Sequence, residues 1–96
     1  MKKIQEKKVV ETEIVEVEGE GLEKLLGQNV LIMCMNYSYA GKLIGVNKTF
    51  VLLEDAGIVF ETGPFGDAKF KDFQKFPVKE WHVSTGAIES YGLSNK

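Results

Sequence analysis

A chain of 96 residues with a net charge of −2 has room for one small domain and one core, and no global attraction for nucleic acid. No apolar run reaches the roughly eighteen residues a membrane-spanning helix needs, and "MKKIQEKKVVETE" lacks the apolar segment of a secretory signal. Cys34 is the single cysteine, which excludes an intramolecular disulfide and makes a cytoplasmic setting the expectation.

All twelve basic residues are lysines. Lysine binds phosphate as a point charge but lacks the planar fork with which arginine reads bases or grips carboxylates. Seven of the fourteen acids fall between Glu6 and Glu23, and from Gly21 onward eight lysines balance eight acids. A binding surface on this neutral body has to come from local arrangement.

Residues 1–20 read as a charged N-terminal arm or an extra strand, with the first eight frayed. In "VVETEIVEVEGE", Val10, Thr12 and Ile14 share one parity and Val15 and Val17 the other, so the pattern predicts a strand with a slip or bulge at Ile14–Val15. Leu22, Leu25 and Leu26 stand at i, i+3 and i+4 before Gly27, which predicts a short helix of at most about two turns. "NVLIMCMNYSYAGKLIGV" is a long β candidate. Val30, Ile32 and Cys34 form one face, and Leu31, Met33, Met35, Tyr37 and Tyr39 the other. Both faces are apolar, as in a strand covered on two sides or wound into a small barrel. Gly41 and Gly45 stand where a strongly curved strand places residues without Cβ.

"TFVLLED" reads as the returning strand and "AGIVFETG" as a third. "PFGDAKFKDFQKFP" breaks the pattern with Pro64, Gly66 and Pro77. "VKEWHVS" and "AIESYGL" read as two last strands, separated at Thr85–Gly86. One short helix followed by about five short strands predicts a small curved sheet or barrel.

These segments, in this order, resemble the Sm-like family, which includes the LSm proteins and the bacterial RNA chaperone Hfq. The likeness covers roughly residues 22–56 and resumes over 83–91. "LEKLLGQNVLIMCM" resembles the family's helix and first strand. "YAGKLIGVN" resembles its second strand, with Tyr39, Gly41 and Leu43 in place and Asn47 where aspartate is usual. "VLLEDA" resembles the close of its third strand. The two ends match with one residue missing between them, and a deletion inside a strand would exchange its faces, so the gap belongs in the turn. Phe50 then stands at the family's base-reading asparagine; with no gap, Val51 does. Neither side chain can hydrogen-bond a base edge; Phe50 can stack on one, although the simpler reading is that it packs in the barrel or the ring interface. In "HVSTGAIESY", which resembles the second motif through Val83, Gly86, Ile88 and Tyr91, Thr85 takes the place of a cation and offers only a hydroxyl.

The resemblance implies a mainly β domain over residues 21–96: a strongly bent five-stranded antiparallel sheet, a small open barrel, with a short N-terminal helix. It implies a homo-oligomeric ring of about five to seven subunits. It also implies single-stranded RNA as ligand, bound weakly and with little base preference. The RNA-contact candidates are Asn47, Lys48, Thr49, Phe50, Thr85 and Gly86. The alternative is a structural ring that binds protein partners and has no RNA role. A generic SH3-like or OB-type barrel is the competing fold, since such barrels also use glycine-kinked strands.

The segment at about 62–78 reads as an insertion. It interleaves phenylalanines with lysines, so Lys69, Phe70, Lys71, Phe73 and Lys75 are secondary binding candidates through stacking and phosphate contact. Phe70, Phe73 and Phe76 recur every three residues, and the simpler reading is one face of a helical turn packed on the barrel. His82 is the only histidine and has no partner in its flanking sequence for general-base work. Cys34 sits among methionines as a small hydrophobe. No nucleophile–base pair, zinc-ligand set or phosphate loop is visible, so no enzyme activity, metal or cofactor is expected.

Overall fold

The computed structural model describes residues 7–9, 12–14 and 21–96. It is mainly β. Strands β1 (Lys7–Val9) and β2 (Thr12–Ile14) pair antiparallel as a separate two-stranded sheet. The single strand expected over "VVETEIVEVEGE" is thus a hairpin where it is described, and the slip expected at Ile14–Val15 lies outside the described residues.

The body is one antiparallel sheet of six strands: β3 (Asn29–Cys34), β4 (Ser38–Val46), β5 (Phe50–Glu61), β6 (Asp72–Lys75), β7 (Glu80–Ser84) and β8 (Ile88–Leu93). The order is β6-β5-β4-β3-β8, with β7 also paired to β5. The sheet does not close. Among the described residues, β8 pairs only with β3, and β6 and β7 pair only with β5.

The helix expected near Leu22 is a single 3₁₀ turn, Leu22–Leu25. Gly21 supplies no side-chain cap, and Leu26 and Gly27 (φ 86°) have already left helical geometry. Glycines on both sides leave too few residues to recover the cost of helix nucleation. Leu22 and Leu25 still pack against the core. The long β candidate from Asn29 to Val46 is two strands, β3 and β4, joined by a turn that Cys34 N–H closes on Tyr37 O at 2.9 Å. That turn brings Tyr39 opposite Ile32, onto the core side.

"TFVLLED" and "AGIVFETG", expected as two strands, are one strand of 12 residues, β5. It bends rather than breaks. Glu54 pairs with Lys42 and Gly57 with Ala40, so Asp55 and Ala56 together oppose Gly41. Asp55 takes the left-handed conformation, φ 54°, which aspartate tolerates better than most residues. Opposite it, a Cβ on Gly41 would lie 2.7 Å from Ala56 Cβ and 2.9 Å from Ala56 Cα. A second register shift, between Leu43 and Gly45, adds curvature to β4.

Beyond the bend, β5 meets its far neighbour in two pieces. Val51 and Leu53 pair with Val83 and Trp81 of β7, while Gly57 and Val59 pair with Lys75 and Phe73 of β6. Between the pieces, Phe76 N–H donates to Ala56 O and Asp55 N–H to Lys79 O, both at 2.9 Å. The path along β5 is therefore almost continuous. Pro77, which has no N–H to give to a ladder, sits in the short excursion that divides β6 from β7. This division accounts for six strands where five were expected.

The helical turn expected from Phe70, Phe73 and Phe76 is absent; Phe73 lies within β6. Phe76 stacks on Trp81 at 3.7 Å between centroids and faces Tyr39 at 6.2 Å, closing the core beside Pro77. The core itself is Val30, Ile32, Leu43, Val51, Leu53, Ala56 and Val83. Each large aliphatic side chain buried there contributes about 1.5–3 kcal/mol. Ala40 and Val59 are buried outside that cluster, on the opposite face of the sheet, so both faces carry packed residues.

The bend depends on close approach at Gly41, whereas Gly86 has only the Ser84 hydroxyl near, 3.8 Å from a Cβ. Gly41→Ala is expected to lower the unfolding free energy in urea by about 1–3 kcal/mol. Gly86→Ala is expected to stay within about 0.5 kcal/mol of the parent.

Candidate nucleic-acid interface

The first set of candidates falls on two turns that meet at one end of the sheet. Asn47, Lys48 and Thr49 form the β4–β5 turn, and Phe50 opens β5. Thr85 and Gly86 begin the 3₁₀ turn Thr85–Ala87 between β7 and β8. Thr85 Oγ1 donates to Lys48 O at 2.6 Å and Thr85 N–H to Thr49 O at 2.9 Å, the first across a sequence separation of 37. The structure therefore brings all six residues together.

Asn47 builds the first turn. Its Oδ1 accepts from Thr49 N–H at 2.8 Å, Thr49 Oγ1 at 3.0 Å and Phe50 N–H at 2.9 Å. An aspartate carboxylate could accept the same three bonds. These bonds make Asn47 a turn-former whose oxygen is committed to its own chain. Thr85 likewise spends its hydroxyl proton on Lys48 O. Phe50 packs edge-on against His82, 4.8 Å between centroids, and Val51 is fully buried. Neither position presents an amide to a base. Lys48 is exposed and makes no ion pair among the described residues, so it is this end's available cation.

The second set lies on the opposite face of the sheet. Residues 62–71 fold over that face, and Phe70 stacks on Phe73 at 5.8 Å with an interplanar angle of 29°. Lys71 faces Glu61 at 3.5 Å and Lys75 faces Asp55 at 3.8 Å, pairs too exposed to contribute much stability but enough to offset local charge. Lys69 makes no ion pair among the described residues. Lys69, Phe70, Lys71 and Phe73 line a cleft of about 560 Å³, while Lys75 is not part of its wall.

Sequence reading missed five polar groups in that cleft: Asn29, Asp55, Asp72, Ser94 and Lys96. Ser94 N–H donates to Asn29 O at 2.9 Å, which lays the chain beyond β8 beside the start of β3. Lys96 Nζ then donates to Thr62 O at 2.9 Å and Pro64 O at 2.8 Å, and it lies 5.6 Å and 5.2 Å from the centroids of Phe65 and Phe70. No local pattern announces a contact between residues 96 and 62–70.

Cys34 and His82 share a smaller cavity of about 330 Å³ with Tyr37 and Tyr39. Burial pushes the Cys34 thiol up from its ordinary pKa, so little thiolate is present at neutral pH. Burial also raises Tyr39, with the neighbouring Cys34 and Tyr37 adding to it. Among the described residues, no three His, Cys, Asp or Glu side chains are grouped to hold a metal ion. None of their helices is long and apolar enough to cross a membrane.

No family model matches the chain, and no curated protein matches it.

Asn47→Ala, which removes three accepted bonds at an exposed turn, is expected to cost about 1 kcal/mol in urea unfolding, and Asn47→Asp less than half of that. Cys34 is expected to react with a disulfide reagent more slowly than a free thiol at pH 8. Its rate should rise with a midpoint above the value of about 8.5 for free cysteine.

Proposed function

We propose that the chain is an Sm-like subunit that assembles into a homo-oligomeric ring and binds single-stranded RNA weakly, with little base preference. The hydrogen bond from Thr85 Oγ1 to Lys48 O carries this reading. It joins the two turns from which the resemblance draws its RNA contacts, although they are far apart in sequence.

The sheet supports the same reading. Reading β6 and β7 as one interrupted strand leaves five bent strands in the order β8-β3-β4-β5-β6/β7. Among the described residues both outer edges offer unpaired backbone to a neighbour, and a head-to-tail contact that closes on itself makes a ring. On β8, Tyr91 and Leu93 stand opposite the buried Ile32 and Val30, yet are 43% and 63% exposed. An apolar core face that ends uncovered at a sheet edge fits an interface with another subunit.

The chemistry at the turns sets the expected strength. Lys48 supplies a phosphate contact and Phe50 an edge of ring, while no amide reads a base. The binding is therefore electrostatic, salt-sensitive and tolerant of sequence.

A second reading, a scaffold ring that binds protein and no RNA, is favoured by one observation. Met35, Tyr37 and Phe60 are 88%, 50% and 49% exposed, and Tyr37 and Phe60 touch edge-to-face at 6.4 Å. This apolar group carries no cation for a phosphate, and an exposed apolar patch of this kind suits a protein partner.

Light scattering on the full chain should give a multiple of the subunit mass, and Tyr91→Glu with Leu93→Glu should give monomers. Titration with oligo-U and oligo-A at low salt should give similar weak affinities. Lys48→Ala should lower both and reduce the salt slope by about 0.7 for each phosphate that the lysine neutralises. A monomeric parent would overturn the ring, and a ring indifferent to RNA at low salt would favour the scaffold.

A further inference from the structure

We propose that the cleft on the opposite face of the sheet is a nucleotide-binding site, distinct from the turns that carry Lys48 and Thr85. The ligand is one nucleotide unit, a base with its sugar and phosphate. It comes either from a free mononucleotide or from a single nucleotide of a strand.

The cleft, of about 560 Å³, lies within the range of about 300–1,000 Å³ found for small-ligand sites. Ala40 and Gly41 of β4 line it, and Ala40 brings only a methyl group to that face. Three kinds of group converge on it. Phe73 is partly exposed and, with Phe70, offers an aromatic wall; a base can stack there whatever its identity. Asn29 presents an exposed amide that makes no side-chain hydrogen bond among the described residues, and an amide can both donate to and accept from a base edge. Lys69, on the rim, is a cation with no ion pair among the described residues, suited to a phosphate as a point charge. At the turns, by contrast, Phe50 is packed on His82 and the Asn47 oxygen is taken up by its own turn.

The remaining walls are organised without the ligand. Lys96 is held by the carbonyls of Thr62 and Pro64 and by the faces of Phe65 and Phe70, so it fixes the 62–70 loop over the sheet. Its charge lies at the cleft and adds to that of Lys69. The Phe73 ring is fixed beneath by Gly57, where a Cβ would come 2.7 Å from Phe73 Cζ. Asp72 and Asp55 add acceptors to the wall, Asp55 with its charge partly offset by Lys75 at 3.8 Å, and such acceptors favour a base that carries an exocyclic amino group. A site already formed in one chain loses little entropy on binding. The proposal rests on the cleft of a single chain and is independent of the ring.

The test is calorimetric titration of the full chain with adenosine monophosphate, adenosine and inorganic phosphate, with amide chemical shifts to locate the site. The nucleotide should bind more tightly than either fragment and move the amides of Gly41, Phe70 and Phe73. Lys69→Ala should weaken nucleotide and phosphate about ten-fold and leave adenosine unchanged. Phe73→Leu, which keeps the apolar cover, should weaken nucleotide and adenosine about ten-fold and leave phosphate unchanged. Lys48→Ala should leave all three unchanged. If oligo-A displaces the mononucleotide, the source is a strand; if it does not, the source is a free nucleotide. No nucleotide binding at millimolar concentration overturns the proposal. So does binding that Lys69→Ala and Phe73→Leu leave intact, or that moves only the amides near Lys48 and Thr85. RNA binding abolished in Lys48→Ala but kept in Phe73→Leu would uphold the turns and reject the cleft as a strand site.

Discussion

The bend of β5 at Glu54–Ala56 is the constraint on which the rest of the molecule depends. Asp55 takes a left-handed conformation so that two residues of β5 can oppose the single Gly41 of β4. Only a residue without Cβ fits against Ala56 at that distance. The bend turns one strand of 12 residues into two arms. One arm carries Val51 and Leu53 into the core beneath β7, and the other carries Val59 to the opposite face beside β6. Without the extra residue the side-chain parity would run unbroken, and Val59 would lie on the same face as Val51 and Leu53.

From this bend follow two surfaces rather than one. At one end, the start of β5 and the close of β7 bring their turns into hydrogen-bonding range, with Asn47 shaping the first turn and Thr85 joining it to the second. At the other, the far arm of β5 turns into the 62–71 loop, which folds back and is fixed there by Lys96. The first surface spends its polar side chains on holding itself together. The second keeps an amide, a lysine and an aromatic wall available to a ligand.

The charge pattern agrees with this division. The body is neutral from Gly21 onward, and two insertion lysines and the neighbouring Lys79 face acids: Lys71 faces Glu61, Lys75 faces Asp55 and Lys79 faces Glu54. These exposed pairs add little stability. Lys42, Lys48, Lys69 and Lys96 make no ion pair among the described residues, and they are local sources of positive potential on a balanced surface. Binding at either end depends on where those side chains are held, not on bulk attraction.

The sequence by itself determined the strand-rich class, the alternation that sets Val30 and Ile32 on one face, and the kinks at Gly41 and Gly45; that the turns at 47–50 and 85–86 belong together was implied only by the resemblance. Alternation, glycine and turn chemistry are local signals, and they survive in the folded chain because the packing agrees with them. Tertiary structure decided the rest. The helix expected at Leu22 shortened to one 3₁₀ turn because flanking glycines outweighed three well-spaced leucines. Phe73 entered a strand because pairing with β5 was available to it; Phe70 stacks on it from the preceding loop, and Phe76 turns to Trp81 in the core. "TFVLLED" and "AGIVFETG" merged because a left-handed Asp55 bends a strand without ending it. The cleft joins Asn29, residues 69–73 and Lys96, which no period or spacing links. Only the backbone contact between Ser94 and Asn29 and the grip of Lys96 on the 62–64 carbonyls bring them together, and contacts of that range are settled by the folded sheet alone.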